Sequence, residues 1–436
     1  MPPRTIQVDE KLPLLQTLPL SIQHLFAMFG ATVLVPFLFK VDPATSLLMN
    51  RVGTLIYLIT AQGRIPAYLG SSFAFIAPVM AVMASQTSGG YAAAQGGFIC
   101  FGLFFILVSQ IIRVAGVKWL DVVFPPAAMG AIVAIIGLEL APVAAQMAGL
   151  VAGPAAPTGS AATHAVLISL LTLLTTILAS VLLRGFLAVI PVLIGVLAGY
   201  GLSLYLGIID FTTVTAAPWL QAPTLYAPVF DLNAILMIMP AALVVLAEHI
   251  GHLVVTGNII ERDLMKDPGL DRSLLGDGIS NVLSGLVGAT PNTTYGENIG
   301  VMAITRVFSV WVIGGAAIIA IVISFIGKFA TLIRSIPVPV MGGVCLLLFG
   351  VIAAAGIRML IEKKVDYTQS RNLILTSLVL ITGVSGAVVN FGTIELKGMG
   401  LATVIAVIIS LTFALFDRLG LMPSGPSETL EESLPH

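Results

Sequence analysis

The sequence predicts an all-α polytopic membrane protein of about fourteen transmembrane segments arranged as a seven-plus-seven inverted repeat. Three observations lead there. Hydrophobic residues make up 58% of the 436 and charged residues only 9%, with a mean hydropathy of +1.05, far too apolar for a soluble domain. Apolar runs near the ~20-residue length that crosses a bilayer recur along the chain. Three short patterns then return in the same order in the second half.

The first set of runs spans 17–39, 44–61, 69–84, 93–113, 124–148, 163–183 and 187–207, and the second 232–257, 273–289, 295–306, 308–330, 337–360, 371–388 and 398–418. Segments 3 and 10 are too short or too polar to cross alone, the pattern of broken helices meeting at the midplane. The Pro- and Thr-rich stretch 208–231 between the sets reads as an extramembrane connection. The N-terminus, with Arg4, Asp9, Glu10 and Lys11 before the first run, lacks a signal-peptide cleavage pattern, so that run is expected to stay as a span. With both termini inside, 15 of the 20 Lys and Arg fall on the cytoplasmic side, and Lys40, Arg51, Lys328, Arg334 and Lys397 fall outside. That is the positive-inside bias, and it predicts the inner membrane with both termini cytoplasmic.

The repeat is carried by three pairings. Ser71-Ser72-Phe73 matches Thr293-Thr294-Tyr295 at an offset of 222, His24-Leu25 matches His252-Leu253 at 228, and Pro125 with Met129-Gly130 matches Pro337 with Met341-Gly342 at 212. Seven is odd, so the second half enters the membrane from the opposite face, as in many secondary transporters.

The net charge of −1 argues against a nucleic-acid surface, and Cys100 and Cys345, both in apolar runs, suggest neither a disulfide framework nor a metal site. No metal or other cofactor is expected. The stretch Gly288–Arg306 has the wrong composition for a lipid-facing helix: a carboxylate, amides, threonines and glycines sit between apolar flanks. Non-helical backbone inside a membrane survives only where protein covers it or a polar cavity adjoins it, so Glu297 is expected to line a binding cavity. A polar surface loop is the plain alternative. The repeat brings segments 3 and 10 around one axis, where free N–H groups at half-helix starts donate to carbonyl oxygens or anions. Phe73 and Tyr295 are placed to stack on a planar ligand.

A second cluster is Glu248-His249-Ile250-Gly251-His252 in segment 8. Glu248 and His252, four apart, share a helix face, while His249 points about 100° away and is expected to serve packing or a hydrogen bond. Ionisable residues inside an apolar run are functional by default, often as proton relays. Burial disfavours the charged form of a carboxylate, which suits Glu248 as a proton acceptor. A zinc protease would need His-Glu-x-x-His, whereas here the Glu precedes histidines three apart, so an intramembrane metalloenzyme is the weaker reading. A passive channel would need a polar stripe along several spans, which these segments do not show. Glu139 reads as structural or as lying near a segment end, and His24 has only the repeat in its favour.

At these residues the chain resembles the nucleobase-ascorbate transporters. The run Glu297-Asn298-Ile299-Gly300-Val301-Met302-Ala303-Ile304-Thr305-Arg306 fits that family's signature of an acid or amide, Asn, any residue, Gly, four residues, then Thr and a basic residue. LPLSIQHLFAMFGATVLVP, PAYLGSSFAFI, FPPAAMGAIVA and PAALVVLAEHIGHLVVT extend the likeness along almost the whole length, toward the branch of bacterial uracil:proton symporters. The resemblance implies one membrane transporter domain with a core part (14–118 and 232–330), a gate part (119–231 and 331–420) and a cytoplasmic tail (421–436). It implies short antiparallel strands in segments 3 and 10 that hold uracil. Phe73 would contribute backbone, Glu248 and Glu297 carboxylates, and Gly296 with Glu297 backbone N–H groups. Tyr295 would line the pocket, His252 would join Glu248 in proton coupling, and Ser72, His24 and Asn298 are possible supports. The expected partners are uracil, protons, membrane lipid and a second copy of the chain in a homodimer. No Arg or Lys is assigned to the cavity, which disfavours an anionic substrate; xanthine is the main rival to uracil.

Overall fold

In the computed structural model, which describes residues 5–85, 89–152, 159–391 and 394–421, helices occupy all fourteen predicted positions. Segment 1 is Leu14–Phe39, segment 2 Pro43–Thr60, segment 4 Tyr91–Ala115, segment 5 Pro126–Met147, segment 6 Ser160–Leu182 and segment 7 Pro191–Tyr205. In the second half, segment 8 is Leu232–Ile260, segment 9 Leu270–Val287, segment 11 Val310–Ser324, segment 12 Val338–Glu362, segment 13 Ser370–Val384 and segment 14 Gly398–Arg418. Segments 3 and 10 are broken. Strand β1 (Leu69–Ser71) leads through a 3-10 turn (Phe73–Phe75) into helix Ile76–Ala84, and strand β2 (Asn292–Thr294) leads into helix Gly296–Thr305. Seven of the described helices are long and apolar enough to cross a membrane, and four shorter ones are apolar. The chain is thus a multi-pass membrane protein.

The inverted repeat is visible in which helices touch. Segment 1 packs on 11 as segment 8 packs on 4, and segment 2 on 11 as segment 9 on 4. Segment 5 packs on 13 as segment 12 on 6, and segment 6 on 7 as segment 13 on 14. Segments 2 and 9, and likewise 5 and 12, pack on their own counterparts. Adding or subtracting seven from each label therefore maps one half's neighbours onto the other's.

Lipid supplies no hydrophobic drive between helices, so close packing of small residues does this work. A Cβ at Gly102 of segment 4 would lie 2.6 Å from the Gly278 carbonyl of segment 9, and one at Gly130 of segment 5 would lie 2.9 Å from the Gly356 carbonyl of segment 12. Two bundles result. Segments 1, 2, 4, 8, 9 and 11 pack on one another around the strands, and segments 5, 6, 7, 12, 13 and 14 form the second group.

The structure departs from expectation in three places. Segment 11 stops at Ser324, and a separate helix, Gly327–Arg334, follows. An antiparallel hairpin of β3 (Val388–Phe391) and β4 (Ile394–Lys397) joins segments 13 and 14 where the apolar run 371–388 suggested helix to its end. Arg51, counted above among the outside charges, is fully buried in the middle of segment 2. Of the tail expected to be cytoplasmic, residues 422–436 lie outside the described residues.

Candidate functional site

The site is built on the β1–β2 pair. The strands run antiparallel, with Leu69 opposite Thr294, Gly70 opposite Thr293 and Ser71 opposite Asn292. Every residue of both strands is buried. Three-residue strands cannot satisfy their outer edges alone, and an unpaired backbone group is costly in a membrane. Segments 2 and 9 supply the partners symmetrically. Thr54 accepts from Leu69 N at 3.0 Å, while Asn281 accepts from Asn292 N at 2.7 Å and donates to Asn292 O at 2.9 Å. One turn earlier, Asn50 donates to Ser71 Oγ at 3.0 Å, and Asp277 Oδ2 accepts from Thr293 Oγ1 at 3.4 Å. Asn281 and Asp277 each stand 227 residues after their counterparts Thr54 and Asn50.

Arg51 completes the β1 side. Its guanidinium donates to Leu69 O at 2.5 Å and to Thr32 Oγ1 at 2.8 Å, and it stacks over the Tyr68 ring 4.1 Å from the centroid. Tyr295 lies across the strand pair. Its ring occupies the space that a Cβ at Gly70 would take, its hydroxyl donates to Ser71 O at 3.1 Å, and it is 4% exposed. The tyrosine expected to stack on a ligand is therefore committed to bracing the strands.

Beyond the strands the two half-helices begin, and neither Ser72 nor Tyr295, at their N-cap positions, caps its helix with its side chain. Phe73 opens one of them, with its ring edge-on to Phe349 of segment 12 at 5.9 Å. Ser72 Oγ has no hydrogen-bond partner among the described residues. Gly296 and Glu297 open the other, and the Glu297 carboxylate accepts from its own backbone N–H. Glu248 approaches from segment 8, within Coulombic reach of both Glu297 and Asp277. Its Oε2 makes no hydrogen bond among the described residues. Both Glu248 and Glu297 are half-buried.

The histidines tie this junction to its surroundings. His252 Nδ1 lies 3.2 Å from Thr294 Oγ1, and its ring abuts Gly296, where a Cβ would come within 3.1 Å of Nε2. His24 Nδ1 lies 2.7 Å from Asn298 Oδ1, and Asn298 donates to Pro66 O at 3.4 Å. His249 points the other way, as its helical position predicts, into a contact with Asp277 at 2.9 Å and with Ser273 Oγ at 2.7 Å. Glu139 stands apart from the site. Its Oε2 accepts from Met399 N at 2.9 Å, at the start of segment 14.

Arg51 and Asp277 are the charged members of this framework that the sequence did not single out, and Asn50, Thr54 and Asn281 are its uncharged ones. Arg51, counted among the outside charges, sits eight residues into segment 2. Asp277 belongs to a stripe of Ser273, Asp277, Ser280, Asn281 and Ser284 at three- and four-residue spacing, a legible polar helix face.

The comparisons agree with this architecture. The transmembrane domain of a cyanobacterial bicarbonate transporter, BicA, superposes with a TM-score of 0.60 at 16% identity, covering 94% of this chain and all of that one. SLC26A9 superposes at 0.68 and 10% identity, covering 93% of this chain and 66% of that one. Both likenesses show the fold alone. In sequence, the chain is 62% identical over 416 residues to the uracil permease of Escherichia coli K12, covering 95% of each. It is 59% identical over 419 residues to that of Paenibacillus larvae, covering 96% of this chain and 99% of the relative. The profile described as the Permease family matches residues 15–392, so the chain belongs to that family, the nucleobase-ascorbate transporters.

Proposed function

We propose that the protein is a proton-coupled symporter that imports uracil across the cytoplasmic membrane by alternating access, with both termini inside. The observation that carries this reading is the junction of the two half-helices, where Glu248, with a free carboxylate oxygen, lies within electrostatic range of Glu297 at the start of the second half-helix. A uracil ring offers N–H donors to carboxylates and carbonyl oxygens to backbone N–H groups. The relatives named uracil permeases, at 59% and 62% identity, support the same substrate. Arg51 does not argue for an anionic one, because its two terminal nitrogens are engaged behind β1 by Leu69 O and Thr32.

In this reading the first bundle, with segments 1–4 and 8–11, is the core that carries the substrate, and segments 5–7 and 12–14 form the gate. The separate packing of the two groups supports the division. So does the Phe73–Phe349 contact, which closes the site from the gate side. A homodimer through the gate and annular lipid belong to the same reading, on the strength of the family likeness.

Coupling requires that substrate and proton favour each other's binding by the same factor. Glu248 is the proposed carrier, because a protonated carboxyl can still hydrogen-bond a neutral ring. Uracil accumulation in proteoliposomes, with and without an inward proton gradient, tests the assignment. Glu248→Gln is expected to keep some uracil binding and to lose gradient-driven accumulation, with His252→Ala milder. Uphill accumulation by Glu248→Gln would remove the residue from the coupling role.

A further inference from the structure

A chain of buried polar groups leaves the site on the side away from the substrate. Thr293 of β2 donates to Asp277 Oδ2, and the same oxygen lies 2.9 Å from His249 Nδ1. On the other edge of the ring, His249 Nε2 lies 2.7 Å from Ser273 Oγ, which is 2.6 Å from the Tyr57 hydroxyl. His249, Asp277, Ser273 and Tyr57 are all fully buried. Tyr57 is one turn from the end of segment 2 at Thr60, and Ser273 one turn from the start of segment 9 at Leu270. The chain thus points toward the end of the bundle where Arg64 and Asp267 pair, the cytoplasmic end in the proposed orientation.

A cavity of about 10 Å³ lies between His249, His252, Tyr57, Thr256, Thr294 and Tyr295. That is close to the space one water requires, and the lining offers it several polar partners. The titratable groups around this region are Tyr57 on segment 2, Glu248 and His252 on segment 8, Asp277 on segment 9, and Tyr295 and Glu297 on segment 10.

We infer that Asp277, His249, Ser273 and Tyr57 form a proton relay leading from the substrate site toward the cytoplasm. The inference rests on the symport reading above. A proton delivered to Asp277 Oδ2 passes to His249 Nδ1 once the ring turns to align their 2.9 Å contact, which is not itself a hydrogen bond, while the Nε2 proton of His249 moves to Ser273 Oγ. Ser273 gives its own hydroxyl proton to Tyr57, and Tyr57 releases one toward the cytoplasmic end. Each group finishes with the number of protons it began with, and the imidazole has exchanged tautomers.

A buried Asp–His pair that only staples segment 8 to segment 9 would look the same, so the experiment must separate the two roles. Ser273→Ala cuts the relay and leaves the pair intact, whereas Tyr57→Phe removes the last hydroxyl of the relay and keeps the ring. Each is reconstituted beside wild type, and three quantities are read: uracil–uracil exchange, net uracil uptake driven by a pH gradient, and proton entry reported by a dye inside the vesicle. Exchange needs no net proton release, so it is expected to stay within about twofold of wild type while net uptake falls roughly tenfold or more in both variants. Wild-type net uptake in both variants would overturn the relay and leave symport standing. Equal loss of exchange and net uptake would make the residues structural and also overturn it. Absence of uracil-dependent proton entry in wild type would overturn symport and the relay together.

Discussion

Glu297 begins a half-helix, lies within electrostatic range of Glu248, and keeps its carboxylate against its own N–H. An ionised carboxylate only accepts hydrogen bonds, whereas an amide also presents a donor. Glu297→Gln is therefore expected to weaken uracil binding by at least ~1.5 kcal/mol, the low end for a hydrogen bond to a charged group. Calorimetry on purified protein checks this, and an unchanged dissociation constant would exclude direct contact. At this scale the sequence shows the acids and hides their neighbours. Glu248, Glu297 and His252 were legible as polar groups in apolar surroundings, because spacing on one helix sets which face they share. Arg51 was not: its partners, Thr32 and Leu69, come from other segments. Its cost in a membrane is offset only by a fold that brings them together. Glu139 likewise finds Met399 from 260 residues away.

Two glycines set the geometry of the broken segments. Gly70 lets the Tyr295 ring lie against β1, and Gly296 leaves room for the His252 ring at the start of the second half-helix. A Cβ at Gly296 would come within 3.1 Å of His252 Nε2, and the branches of a valine would press further on the ring. Gly296→Val is expected to displace His252 from Thr294 and abolish uracil binding, while the protein remains folded and monodisperse in detergent. Full binding by that variant would move the site elsewhere. The breaks themselves were legible, since Gly, Asn and Thr interrupt an apolar run in a way that only covered backbone tolerates. The β3–β4 hairpin was not. Ser385-Gly386 ends the helix, but the valines that follow resume the apolar run, and a short apolar run does not by itself distinguish strand from helix.

Taken whole, the molecule is two bundles whose contacts must change if transport proceeds by alternating access. Segment 1 meets segment 7 across that boundary: a Cβ at Gly30 would lie 3.7 Å from the Val192 Cβ, within the span of a disulfide. With Cys100 and Cys345 replaced by alanine, the Gly30→Cys, Val192→Cys pair is expected to stop uracil uptake on oxidation and to regain it on reduction. Undiminished uptake by the oxidised, cross-linked protein would show that this boundary does not move. The duplication behind the two bundles was readable from three short pairings. Their offsets range from 212 to 228 because the connections between segments differ in length, while the packing between counterpart helices is kept.

The pairing of β1 with β2 also governs when the site can exist during synthesis. Leu69 and Thr294 lie 225 residues apart, so at ordinary elongation rates the first strand waits about 10–45 s for the second to be made. Throughout that interval Arg51, Asn50 and Thr54 have their partners Thr32, Leu69 and Ser71 within the first half, while the edge of β1 that pairs with β2 stays open. Neither repeat carries a binding site that the other could inherit ready-made. Recognition of substrate is a property of the finished chain, and nascent first halves are the species that the insertion machinery must shelter.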